Sequence, residues 1–147
     1  MKRITYWDLL NRDLSLLKSW RFSVTQQEQE LQTLEAEYTA IKATNLDKMP
    51  QGSGENYQEE KLLTAIAKRD EKAAELKHNK MRVADMERLL AQLTEEERSI
   101  ITRMCIEKEP VEKLAEEMGL DVRQMYNRRN AALTHLLQLR HGSVYQP

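Results

Sequence analysis

The stretch Leu114-Ala115-Glu116-Glu117-Met118-Gly119-Leu120-Asp121-Val122-Arg123-Gln124-Met125-Tyr126-Asn127-Arg128-Arg129-Asn130-Ala131-Ala132-Leu133 decides how the C-terminal part of this chain folds. It reads as the end of one short helix, a glycine turn and the start of a second helix. Gly119 stands where a chain leaving a helix commonly takes a left-handed conformation. Leu120 plugs the turn, and Asp121 is suited to cap the helix that follows. Val111, Leu114, Ala115 and Met118 form the inner face of the first helix, with Ala115 small where the two helices approach. In the second helix Met125, Ala132, Leu133 and Leu136 face inward. Arg123, Gln124, Tyr126, Asn127 and Asn130 are then left outward, with Arg129 flanking them.

That outward set has the chemistry needed to read double-stranded DNA. A helix fits the major groove, and its N-terminal residues reach the base edges. Arginine bonds guanine through two donors, while Asn and Gln do the same with adenine. Tyr126 and Arg129 are better placed for phosphate, a contact that positions without specifying sequence. The competing reading is a plain helical hairpin whose Gly119 is only a C-cap.

Working back toward the N-terminus, Thr94-Glu95-Glu96-Glu97 is a capping box and marks a helix from about Glu95 to Lys108. Its three glutamates suit the positive end of the helix dipole. Ile100, Ile101, Met104 and Cys105 supply its buried face, and Pro110 allows a fresh start before Val111. Cys105 is the only cysteine. It excludes an intramolecular disulfide and makes a reducing cytosol the default, hence an expected cytoplasmic location. With no activating partner in view, it reads as an inert buried thiol. No apolar run is long enough to span a bilayer, and the first residues lack a signal-peptide apolar region, so no membrane partner is expected.

Composition points the same way. The 147 residues are 32% charged and 5% aromatic, with four glycines and three prolines, which favours long solvated helices over a many-stranded sheet. The fold class expected is all-α. Residues 4–19 form an amphipathic helix on Ile4, Trp7, Leu10, Leu14 and Leu17. A second helix runs from Thr25 to about Thr44. Val24, Leu31 and Tyr38 fall seven apart there, with Gln27, Leu34 and Ile41 between them, an a/d heptad seam. Asn45 to Asn56, with Pro50, Gly52 and Gly54, is the one strong loop. Tyr57 to about Leu93 is a long helix on Leu62, Ile66, Ala73, Leu76, Val83 and Leu90, interrupted by Arg69, Lys80 and Glu87. These seams fit an antiparallel hairpin within one chain or a homodimer through helices 25–44 and 57–93. The organisation expected is a helical interaction region over 1–93, a helix-turn-helix domain over 94–140 and a tail over 141–147.

The net charge of -1 is unevenly spread. Thr94 to Met118 holds eight acidic and four basic residues, whereas Gly119 to Pro147 sets Arg123, Arg128, Arg129 and Arg140 against Asp121. Positive charge therefore collects on the second helix of the pair. His78, His135 and His141 are scattered, with no carboxylate or cysteine at ligand spacing. No catalytic constellation or cofactor motif can be named, so neither an enzyme nor a metal protein is expected.

The segment Leu93 to Leu139, about a third of the chain, resembles region 4 of bacterial sigma factors, the part that binds promoter DNA. The likeness lies in Leu-Thr-Glu-Glu-Glu-Arg-Ser-Ile-Ile from Leu93, Val-Glu-Lys-Leu-Ala-Glu-Glu-Met-Gly-Leu from Val111, Met125, and Ala132-Leu133-Thr134-His135-Leu136. The chain departs from that pattern at Asp121, where a small polar residue is usual, and at Arg128, where an aliphatic one is usual. The remaining two thirds look like the N-terminal half of phage late-gene regulators of the ArpU and RinA kind, with Asp47-Lys48-Met49-Pro50-Gln51-Gly52-Ser53-Gly54 as the matching loop. The resemblance implies a prophage-encoded, cytoplasmic transcription regulator. It implies RNA polymerase as a second partner beside DNA, and Arg123, Gln124, Tyr126 and Asn127 as the contacting part of the recognition helix. Two other readings remain open: a small-terminase-like DNA-packaging protein, and a helical interaction module without DNA binding.

Overall fold

Between Arg3 and Asp47 the chain has neither proline nor glycine. In the computed structural model, which describes residues 3–47 and 54–142, this run is a single helix, α1 (Tyr6–Asp47). The expected break between residues 19 and 25 does not occur. Thr25, where a second helix was expected to begin, instead donates its hydroxyl proton to the Arg21 carbonyl at 3.3 Å, a bond compatible with a helix interior. The apolar series is also continuous: Leu10, Asp13, Leu17, Trp20, Val24, Gln27, Leu31, Leu34, Tyr38 and Ile41 are all buried or half-buried, alternating three and four apart. Helix α1 opens at Thr5, whose hydroxyl accepts from the Asp8 amide while the Asp8 carboxylate accepts from the Thr5 amide.

The other elements are α2 (Gly54–Ala91), α3 (Glu95–Ile101) with a π-helical turn at Thr102–Ile106, α4 (Val111–Met118) and α5 (Val122–His141). The described residues contain no strand, and the fold is all-α. Helices reach further into 45–56 than expected, to Asp47 and again from Gly54. Residues 48–53, the heart of the Met-Pro-Gln-Gly-Ser-Gly segment, and the tail beyond 142 lie outside the described residues.

Packing divides the chain into two compact units. One unit holds Arg21–Arg82, an antiparallel hairpin of α1 and α2. Glu28 pairs with Lys80 at 3.0 Å, Glu30 with Lys72 at 2.9 Å, and Gln27 accepts from the Asn79 amide at 2.9 Å. The Arg69 guanidinium lies 4.4 Å from the centre of the Tyr38 ring. Two of the polar residues that interrupt the α2 seam, Arg69 and Lys80, are therefore matched by partners on α1. Ala73 is exposed, and the face actually used runs through Leu62, Ala65, Arg69, Lys72, Leu76 and Asn79. Within the chain, this seam forms the antiparallel hairpin.

The other unit joins residues through Trp20 to those from Val83 onward. Its core brings Leu10, Leu14 and Leu17 of α1, Met86 and Leu90 of α2, and Ile101, Leu133, Leu136 and Leu137 together. Arg98 donates to the carbonyls of Leu90, Ala91 and Leu93, satisfying the end of α2 as the chain turns into α3. A smaller cluster of Ile100, Leu114, Ala115 and Met125 ties α3 and α4 to the start of α5.

Between α4 and α5 lie three residues, Gly119 to Asp121. Gly119 has φ 69°, its amide donates to Glu116, and the Leu120 amide donates to Ala115 at 2.9 Å. That pair of bonds is a Schellman closure. A Cβ at Gly119 would meet nothing within 4 Å, so the glycine is required by its backbone conformation and not by space. Gly119→Ala is expected to cost about 1 kcal/mol in urea unfolding. A loss several times larger would mean that the turn carries packing beyond its conformation.

Candidate nucleic-acid interface

Helix α5 begins with a reciprocal cap. The Asp121 carboxylate accepts from the Gln124 amide at 2.7 Å, and the Gln124 side-chain oxygen accepts from the Asp121 amide at 3.0 Å. Asp121 thus caps α5 as expected from the sequence. The bonds have a consequence for Gln124. Its amide oxygen is used by the cap, so two-point recognition of adenine would require breaking that cap.

The inner face of α5 is as expected: Met125, Ala132, Leu133 and Leu136 are fully buried. On an α-helix each residue turns about 100° from the last, so Arg123, Asn127 and Asn130 share the opposite stripe, and all three are exposed. No ion pair engages Arg123 among the described residues. On one edge of the stripe stands Tyr126, 40% exposed, with the Arg129 guanidinium 4.8 Å from its ring centre. Arg129 also donates twice to the Asn130 side-chain oxygen, at 3.2 and 3.0 Å. Arg129 is half-buried, and the ring and amide hold it in place beside the exposed stripe. The structure thus brings Arg123, Asn127 and Asn130 onto one open face, with Tyr126 and Arg129 as its rim and Gln124 at its capped end.

The other edge carries Arg128. Its guanidinium is ion-paired with Glu96 in the first turn of α3. Both side chains are about half exposed, so Arg128 does not point into the core as the aliphatic residue of the sigma pattern would. One turn of α3 makes a second link, the Glu97 carboxylate meeting His135 Nδ1 at 2.9 Å. Burial acts to raise the Glu97 carboxyl, but bonds from the Thr94 amide, His135 and the Thr94 hydroxyl outweigh it and hold it below its ordinary range. The capping box at Thr94 is formed as expected. The cross-links of Glu96 and Glu97 to α5 were not legible, because they join residues more than thirty apart.

Behind the site, the chain from α3 to α4 is pinned by Arg103, which bonds Glu109 at 2.9 Å and Glu117 at 2.7 Å. Those bonds raise the guanidinium above its ordinary value and hold the Glu109 carboxyl below its own. They brace a turn in which Lys108 adopts a φ of 54°, a region uncommon for a residue with a side chain. Met118, expected inside, is 37% exposed, and Leu120 packs in its place against the smaller cluster. Cys105 is half-buried, and burial pushes its thiol up, against a weaker opposing pull from Arg129. That shift disfavours the reactive thiolate. Among the described residues no three His, Cys, Asp or Glu side chains gather as for a metal ion, and no helix is long and apolar enough to cross a membrane.

No protein-family model, curated protein or solved structure matches this chain.

Proposed function

We propose that this chain binds double-stranded DNA in a sequence-dependent way through α5 and acts as a transcription regulator. One observation carries the reading: a polar stripe of Arg123, Asn127 and Asn130 stands open on a helix whose opposite face is fully buried against its neighbours. A helix anchored on one side and polar on the other is what insertion into a major groove requires. The Gly119 closure and the Asp121 cap fix where that helix begins, and therefore which residues lead. Arg123 and Asn127 are the base-reading pair, Tyr126 and Arg129 the phosphate contacts. The resemblance to sigma region 4 supports a promoter as the target and RNA polymerase as a partner, and the resemblance to the ArpU and RinA regulators supports a cytoplasmic, prophage-encoded setting.

The test is retention of a genomic fragment library by the full chain across a salt series, with sequencing of what is held. A few short sites that survive moderate salt are the expected result. On such a site, Arg123→Ala should weaken binding by about 1–3 kcal/mol and relax the preferred sequence, whereas Arg129→Ala should weaken all duplexes alike. Equal losses on selected and random DNA for both variants would contradict that division. Retention of every fragment without enrichment would favour a packaging role, and no retention at low salt would favour a pure interaction module.

A further inference from the structure

Resting on that DNA-binding reading, the geometry points to Glu96 as an internal competitor for DNA: its carboxylate holds Arg128 at the rim of the α5 face, so that Arg128 takes a phosphate only when Glu96 releases it. The four arginines of α5 are differently placed. Arg140 is held by the buried Asp13 at 2.7 Å, and Arg129 by the Tyr126 ring and Asn130. Arg123 stands open on the stripe. Arg128 lies about 100° round the helix from Asn127, on the edge away from Tyr126 and Arg129. There it is bound to a carboxylate that is itself 54% exposed.

The placement of Glu96 is not isolated. Glu97, its neighbour in the first turn of α3, reaches His135, two turns further along α5 than Arg128. The acidic start of α3 therefore lies alongside the rim of the helix that would enter the groove. An exposed pair of this kind is weak and exchanges readily. A phosphate offers an arginine the same two-oxygen geometry as a carboxylate. The pair thus opposes phosphate contact without preventing it. Its effect falls on the sequence-independent part of DNA affinity, because the base contacts proposed for Arg123 and Asn127 do not involve it. A carboxylate that weakens binding to every duplex, while base contacts are untouched, lowers overall affinity and its salt dependence and leaves the ratio of specific to non-specific binding unchanged.

The experiment compares the full-length wild type with Glu96→Gln, Arg128→Ala and the double variant on a random-sequence duplex, by fluorescence anisotropy across a salt series. Glu96→Gln should bind about three- to fivefold more tightly. Its plot of log affinity against log salt should steepen by about 0.9, one added phosphate contact. The double variant should lose both gains. Wild-type binding with an unchanged Glu96→Gln slope would overturn the inference and leave the DNA reading standing. A gain that survives in the double variant would also overturn it, since the lost charge alone would then be the cause. No binding to any duplex by wild type or Glu96→Gln would overturn the DNA reading, and the inference with it.

Discussion

Leu14→Ala is expected to lower the unfolding free energy of the unit that carries α4 and α5 by about 3 kcal/mol, although Leu14 stands a hundred residues before that helix pair. Leu14 is fully buried in a cluster with Leu133, Leu136 and Leu137 of α5. Truncating a buried leucine removes its transfer free energy and leaves a cavity, about 2–5 kcal/mol in sum. Alanine is the better helix former, so α1 itself does not weaken, and the loss belongs to packing. Trp7 and Trp20 both pack against this cluster, which makes tryptophan fluorescence in urea a direct reading of the unit. A change below about 0.5 kcal/mol, within the range of ordinary surface substitutions, would mean that residues 6–20 are not part of its core.

That expectation follows from a division of the chain that was only half legible. The short-range signals read true. Thr94 with Glu97, Gly119 with its Schellman bonds, and Asp121 as a cap are set by chemistry within four residues. The inner face of α5 was equally readable, because Met125, Ala132, Leu133 and Leu136 keep helical spacing and nothing competes for them. The all-α class followed from the same local patterns. What failed was local too, but ambiguous. Thr25 was expected to begin a helix and lies inside one. Met118 has the spacing of a core residue, yet the chain leaves the helix at Gly119 and the Leu120 side chain takes the interior position.

The remainder depended on partners far along the chain. Nothing in the spacing of Leu10, Leu14 and Leu17 says that α5 covers them. The candidate interface shows the same limit. Its stripe of Arg123, Asn127 and Asn130 was legible, since outwardness follows once the inner face is known. The use of the Gln124 oxygen in the cap was half legible, as Asp121 and Gln124 have capping-box spacing. The pairing of Arg128 with Glu96 was not, and it is the contact that turns an apparent break in the sigma-like pattern into an exposed ion pair. Charge counting alone would have credited α5 with four available cations, and the structure commits Arg140 and Arg128 to carboxylates.

Arg140 gives the second large effect, and the cost of removing it is asymmetric. Asp13 occupies a seam position of α1 and is 5% exposed, so its carboxylate is the buried member of the pair. Arg140, with a side chain 32% exposed, meets Asp13 Oδ2 at 2.7 Å, while Arg12 meets Oδ1 at 3.1 Å. Arg140→Leu leaves a buried carboxylate with one oxygen unsatisfied, and the expected cost is about 2–3 kcal/mol. Asp13→Leu leaves a long cationic side chain that can turn its head to water, and it places leucine where the heptad takes an apolar residue. Its expected effect lies within about 1 kcal/mol of zero. The double variant should recover most of what Arg140→Leu loses, giving a coupling energy of about 2 kcal/mol in a double-mutant cycle read by urea unfolding. Equal losses for the two single variants would mean that the pair acts as an ordinary surface bridge, and that Oδ2 reaches solvent once the guanidinium is gone.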